Sequence, residues 1–142
     1  MKIRKATSED IPSIVNVWEK SDLPIRSLGR DHPDNLAKQL LESNMWILIG
    51  EINEEIVGVI MVTHDSRKGW INRLAIIPSK RNKGLGMLLL EEAEKTLVEE
   101  GIDIFCAVIH NDNTSSRKLF EKANYLYHED ITYYAKRNKP DI

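Results

Sequence analysis

The chain reads as a mixed α/β domain on a largely antiparallel sheet, in the order β-α-α-β-β-β-α-β-α-β-β. Three observations predict this class. Apolar residues recur at helical spacing in some stretches and form short β-branched runs in others, and the two kinds alternate. Residues 45–52 and 56–64 are apolar runs separated only by Asn53-Glu54-Glu55, a hairpin pattern. The run 70–77 stops at Pro78, which has no N–H to continue a ladder, and helical spacing starts at Leu85.

Taken in order, residues 2–6 form a first strand. Thr7 or Ser8 caps a helix with Glu9 and Asp10 in its first turn and Ile11, Ile14, Val15 and Trp18 on one face. Residues 21–31 are a loop carrying Pro24, Arg26, Gly29 and Arg30. Pro33 suits a first helical position, and the helix it opens buries Leu36, Leu40 and Leu41. The hairpin follows, with Gly58 marking a bulge or a close backbone approach. After the central strand, Leu85, Leu88, Leu89, Ala93, Thr96 and Leu97 line one helical face, and Gly101 supplies the stop. Residues 102–109 are a strong strand, His110–Thr114 a polar turn, and 115–123 a fourth helix. Residues 125–128 and 131–136 complete a terminal hairpin, with a polar tail beyond.

Composition bounds the function. A chain of 142 residues with 42% hydrophobic and 30% charged residues suits one domain, 1–142, with a single substantial core. A net charge of −2 gives no reason to expect nucleic acid or an anionic membrane as partner. One cysteine, Cys106, excludes an internal disulfide, and no Cys/His spacing suggests a metal. The start has no apolar core of a signal peptide and no run reaches membrane-spanning length, so a cytoplasmic protein is expected.

Between strand and helix lies Arg81-Asn82-Lys83-Gly84-Leu85-Gly86. Two glycines let backbone N–H groups approach a ligand, and the first helical turn leaves its donors free for an anion. No Asp or Glu occurs from Ile71 through Leu90, where Arg73, Lys80, Arg81 and Lys83 all fall. Helix starts ordinarily favour acids, so this one is kept for a foreign anion. The plainer reading, glycines for close packing and solvated basic residues, has equal weight when the turn is taken alone.

The R-x-x-G-x-G of Arg81–Gly86 after a strand ending Leu74-Ala75-Ile76-Ile77-Pro78 resembles the acyl-CoA motif of the GNAT superfamily of N-acetyltransferases. The segment Asn113–Tyr125 is similar to a second stretch of that family, matching at Asn113, Leu119, Glu121 and Lys122. The element order also matches, so the resemblance covers nearly the whole chain. It implies a twisted, mostly antiparallel sheet of six to seven strands flanked by four helices and splayed between the fourth and fifth strands. It further implies acetyl-CoA as cosubstrate. The pantetheine arm would lie along Leu74, Ala75 and Ile76 with Asn113 bonding to it, and the pyrophosphate against Arg81, Asn82, Lys83, Gly84, Leu85, Gly86 and Met87. For Asn113 alone, a helix cap is the simpler role.

The sequence departs from the family where catalysis is concerned. Phe120 stands where the family commonly has a Tyr acid, still beside the cofactor, and Asn124 replaces the usual Gly. Trp70 and Asn72 occupy strand positions where many relatives carry a Glu base; neither takes a proton. His64 has a suitable intrinsic pKa but stands at a hairpin end, where a solvated role is commoner. Tyr127, Tyr133 and Tyr134 carry hydroxyls, His110 and His128 sit near turns, and Cys106 is most simply a buried apolar residue. No catalytic acid or base is assigned.

Acceptor choice is expected from loop 21–31 and the second helix, with Arg26 and Asn72 as substrate-binding candidates and Arg30 beside them. Solvated arginines are an equal alternative. The reading is acetyl transfer from acetyl-CoA to a primary amine of a small molecule or peptide by direct attack, with neither nucleic acid nor membrane as partner and a homodimer left open. Its rivals are a CoA-binding sensor on the same fold and a binding domain in which Arg81–Gly86 is only a turn.

Overall fold

The computed structural model describes residues 1–142. Its sheet runs β1 (Lys2–Lys5), β2 (Met45–Ile52), β3 (Glu55–His64), β4 (Gly69–Ile76) and β5 (Phe105–Ala107), in that spatial order. The first three pairings are antiparallel and β4 with β5 is parallel. The helices are α1 (Ile11–Lys20), α2 (Pro33–Gln39), α3 (Leu85–Glu99) and α4 (Thr114–Lys122).

Strand alternation sorts the core into two layers. Ile47, Ile49, Val57 and Val59 pack beneath α1 and α2 with Ile14, Val17, Trp18 and Leu36. Trp46, Leu48, Ile60 and Val62 face α3 and α4 with Leu89, Leu90, Leu97 and Phe120. On α1 the buried face is Ile11, Ile14, Val17 and Trp18, with Val15 only half-buried. Leu36 is buried on α2 and Leu40 half-buried, but Leu41 is 87% exposed, because α2 has already ended. Leu88 on α3 likewise faces solvent, and Leu90 takes a core position instead. Thr96 is half-buried and accepts the Trp46 indole N–H at 3.1 Å.

Both readings of Gly58 hold. It lies beside a register shift at Gly50/Glu51, and a Cβ there would come 2.6 Å from Ile76 Cδ1 and 2.9 Å from Leu89 Cδ1.

The sheet has five strands rather than six or seven. Residues 102–109 contribute only Phe105–Ala107, and the terminal hairpin does not form. Past α4 the chain is held at Tyr125, whose N–H donates to Phe120 O, whose ring stands edge-on to Phe120 and whose hydroxyl donates to Glu94 Oε1 at 2.9 Å. Leu126, Ile131, Tyr133 and Tyr134 remain exposed. Strand propensity without a partner edge does not make a strand.

The entry into α1 combines a cap with a charge pair. Thr7 and Asp10 form a capping box, and Arg4 donates to both Asp10 oxygens at 2.8 Å and to Glu51 at 2.6 Å. The Arg4 hydrogen bond, opposed by burial and helped by the Thr7 N–H, holds the Asp10 carboxyl below its ordinary pKa. A lowered folded-state pKa gives stability that is complete above the unfolded value of about 3.9 and lost as pH falls through the folded value. Asp10→Asn should therefore cost about 1 kcal/mol in urea unfolding at pH 7. The difference from wild type should close in strong acid; a difference that persisted there would refute this account of Asp10.

Candidate active site

The site begins with an irregularity in β4. Val59 pairs with Ala75 and Met61 with Asn72, so Arg73 and Leu74 together oppose the single residue Ile60. Arg73 takes φ +54°, the left-handed conformation of an inserted bulge residue. The insertion reverses the strand's alternation. Ile71 packs toward α3, whereas Ala75 and Ile77 pack toward α1. A bulge also bends its strand, and pairing between β4 and β5 stops at Ile71–Ala107.

Past that point β4 has a free edge. Ile77 N–H returns to β3 at Val57 O (2.9 Å), so alternation turns the main-chain groups of Leu74 and Ile76 outward. Ile76 O accepts from Arg81 Nε at 3.0 Å and from Ser21 Oγ at 3.3 Å, both from outside the sheet. Ala75 between them has its side chain in the core and pairs with Val59.

One turn, Pro78–Lys80, carries the chain from this edge to α3. Asn82 (φ +62°) and Gly84 (φ +76°) are left-handed on either side of Lys83. No side chain caps α3, no acid lies in its first turn, and its first bond at the cap is Leu88 N–H to Gly84 O. The N–H groups of Leu85, Gly86 and Met87 precede that bond and have no helical partner. Arg81, Asn82, Lys83 and Gly84 are exposed, while Leu85 is buried and anchors the turn. A Cβ at Gly84 would meet nothing within 4 Å, so the space outside the turn is open. The two glycines differ in purpose. A Cβ at Gly86 would lie 3.3 Å from Leu119 Cδ2, so Gly86 serves the approach of α4 to α3. An open cradle of donors with basic side chains fits a pyrophosphate.

Asn113 caps α4, its Oδ1 accepting from Ser116 N–H at 3.2 Å. Phe120 is buried against Tyr125, ring centroids 4.9 Å apart and perpendicular. Tyr125 does not replace the missing acid: burial first, then Glu94, raise its hydroxyl far above the usual phenol range. His64 Nδ1 accepts from Ser66 N–H at 3.0 Å, holding the hairpin end. Tyr127, Tyr133, Tyr134, His110 and His128 are exposed, and Cys106 is half-buried opposite Trp70.

The other face of the bulge joins the loop between α1 and α2. Arg73 donates to Pro24 O and, at 2.6 Å, to Asp31 Oδ2, and its guanidinium stacks 5.1 Å from the Trp18 ring centroid. Asp31 also accepts the Arg26 backbone N–H at 2.6 Å. Asn35 Nδ2 donates to Gly29 O and Gln39 Nε2 to Arg30 O, fixing the loop to α2. Burial lowers the Arg73 pKa, Asp31 opposes this, and Arg30 and Arg26 lower it further. Arg26 and Asn72 are both half-buried on this side of the molecule or at its bulge. Sequence reasoning had noted Arg73 only as one more basic residue and had passed over Asp31, Ser21 and the partner role of Trp18. The loop carries two acids, Asp22 and Asp31, beside its two arginines, and no local pattern marks Asp31 as the one that pairs.

The description "Acetyltransferase (GNAT) family" matches residues 12–125. An acetyltransferase of Photorhabdus laumondii is 27% identical over 138 residues, 96% of this chain and 95% of that protein. Among solved structures, an aminoglycoside 6'-N-acetyltransferase from Acinetobacter haemolyticus superposes with TM-score 0.80 at 15% identity, covering 98% of this chain and 100% of that one. The PaiA N-acetyltransferase of Thermoplasma acidophilum, in complex with coenzyme A, gives TM-score 0.76 at 21% identity over 86% and 87%. A match over four-fifths of the sequence, on a sheet that opens beside an uncapped helix start, places the chain in the GNAT family of acetyltransferases.

Proposed function

We propose that this acetyltransferase moves an acetyl group from acetyl-CoA to a primary amine of a small molecule or peptide by direct attack. The observation that carries this reading is the free edge of β4 past Ile71, leading straight into the uncapped N-terminus of α3. The donors of Asn82–Met87, with Arg81 and Lys83, receive the pyrophosphate. Leu74 and Ile76 offer main-chain groups to the pantetheine arm, for which Arg81 gives up Ile76 O, and Asn113 at the start of α4 bonds to the same arm. The same reading takes residues 1–142 as one domain acting in the cytoplasm; no helix is long and apolar enough to cross a membrane.

The amine nitrogen attacks the thioester carbonyl carbon as the C–S bond breaks, coenzyme A leaves as thiolate, and the nitrogen's proton passes to water. The outward N–H of Leu74 polarises the carbonyl oxygen. Positioning and this donor supply the rate, since no side chain here is a ready acid or base. Phe120→Tyr should raise the rate of thiol release several-fold by supplying a proton to the thiolate. An unchanged rate in a folded variant would mean that this protonation is not limiting.

Calorimetric titration with acetyl-CoA, followed by thiol release against a panel of amines, tests the whole. Binding with release establishes the reaction. Binding without release across the panel would count against turnover on amines, and absence of binding would sink the proposed donor site.

A further inference from the structure

We infer that the acceptor amine carries a carboxylate, held by Arg26 and Arg30 at the rim of the loop between α1 and α2. This rests on the acetyl-transfer reading above and names its substrate class.

The argument starts from an imbalance of charge. Three arginines, Arg26, Arg30 and Arg73, gather around one buried carboxylate, Asp31. Asp31 Oδ2 accepts from both the Arg73 guanidinium and the Arg26 N–H. Arg73 is spent on Asp31, Pro24 O and the Trp18 ring. The guanidiniums of Arg26 and Arg30 make no hydrogen bond and no ion pair within the protein. The chain's own residues 141–142 lie against Gly29 in this loop. Asp141 there pairs with neither arginine.

Arginines with nothing to bind are commonly just solvated. These two differ because the loop under them is built rather than free. Gly29 N–H and Asp31 N–H both return to Arg26 O, and His32 N–H returns to Gly29 O. Asn35 and Gln39 fasten the loop to α2, and Arg73 and Ser21 fasten it to β4 at the bulge and at Ile76. The backbone that carries the two unused guanidiniums is thus tied to α2 and to β4, beside the strand segment from which the acetyl carbonyl is polarised. Guanidinium forks select planar anions, a carboxylate above all. An amine that brings an acidic group supplies the missing charge and is oriented by it. A polycationic amine meets like charge.

The test compares matched acceptors. Thiol release is measured with ω-amino acids, whose amine is too far from the carboxylate for its basicity to change much, with the corresponding carboxamides, and with a polyamine. The free acids should be preferred by roughly tenfold or more in kcat/KM. Arg26→Gln with Arg30→Gln should remove that preference, mainly through KM for the acid, while acetyl-CoA affinity stays as in wild type. Equal or better use of carboxamides or polyamine by wild type would overturn the inference, as would a preference that survives both substitutions. The wild-type comparison stands even if the variant is unstable. Should acetyl-CoA bind without turnover of any amine, the CoA-loaded protein is titrated with the same acids and amides, and equal or absent binding of the two again overturns it. Failure to bind acetyl-CoA would instead break the underlying reading.

Discussion

Gly84→Asp should abolish measurable acetyl-CoA binding and leave the protein folded. Gly84 stands at the cap of α3 with φ +76°, and nothing lies within 4 Å of the position a Cβ would take. The fold therefore has room for the side chain, and the cost is conformational, about 1 kcal/mol for an Asp forced into the left-handed region. Its thermal midpoint should fall by only a few degrees. The ligand has no such room. A carboxylate about 4 Å from a phosphate is opposed by roughly 4 kcal/mol at an effective dielectric near 20. Even after solvent screening at this exposed turn, a loss of a hundredfold or more in affinity is expected. Gly84→Ala, with the Cβ but no charge, should lose far less. Calorimetry on both variants decides the matter: comparable affinity in wild type and Gly84→Asp would refute an anion site at this helix start.

Arg73→Ala should damage both stability and turnover. The Arg73 and Asp31 side chains are 14% and 4% exposed, and removing the cation leaves a buried carboxylate and the Pro24 carbonyl without it. Breaking one partner of a buried pair costs about 3–5 kcal/mol. The loop from Ser21 to Asp31 then loses its main tie to β4, and kcat/KM for the amine should fall by an order of magnitude or more as positioning degrades. Acetyl-CoA affinity should change little, because the donor cradle at α3 does not depend on Arg73. Arg73→Lys keeps the charge without the planar fork and should fall between. If urea unfolding moved by less than about 0.5 kcal/mol and kinetics were unchanged, the pair would be an ordinary surface contact.

The proposed acidic acceptor and the Arg73 tie are linked but separable. Arg73 holds the loop, whereas Arg26 and Arg30 use it. Loss of Arg73 should lower turnover of acids and carboxamides alike, and loss of the other two should lower the acids more than the carboxamides.

Most of what was legible in the sequence is local. The strand that stops at Pro78, the glycine turn at Arg81–Gly86 and the helix from Leu85 each depend on residues within a few positions of one another, and the structure contains all three. The Thr7–Asp10 cap and the Asn113 cap were visible for the same reason. The terminal hairpin failed because alternation in 125–136 states a preference for extended chain but not the presence of an edge to pair with, and Tyr125 is held to Glu94.

The bulge was hidden for a related reason. Residues 70–77 are apolar on both faces apart from Asn72 and Arg73, so alternation on either side of that pair does not say which residue is inserted between Ile71 and Ala75. The pairing of Arg73 with Asp31 spans 42 residues, and no local pattern couples those positions. The sequence by itself determined the elements as far as α4, though not the length of β5, together with the uncapped helix start and the family. Tertiary structure decided where β4 leaves β5 and which arginines remain unspent, because both depend on groups brought together only when α1, α2 and the sheet close on one core.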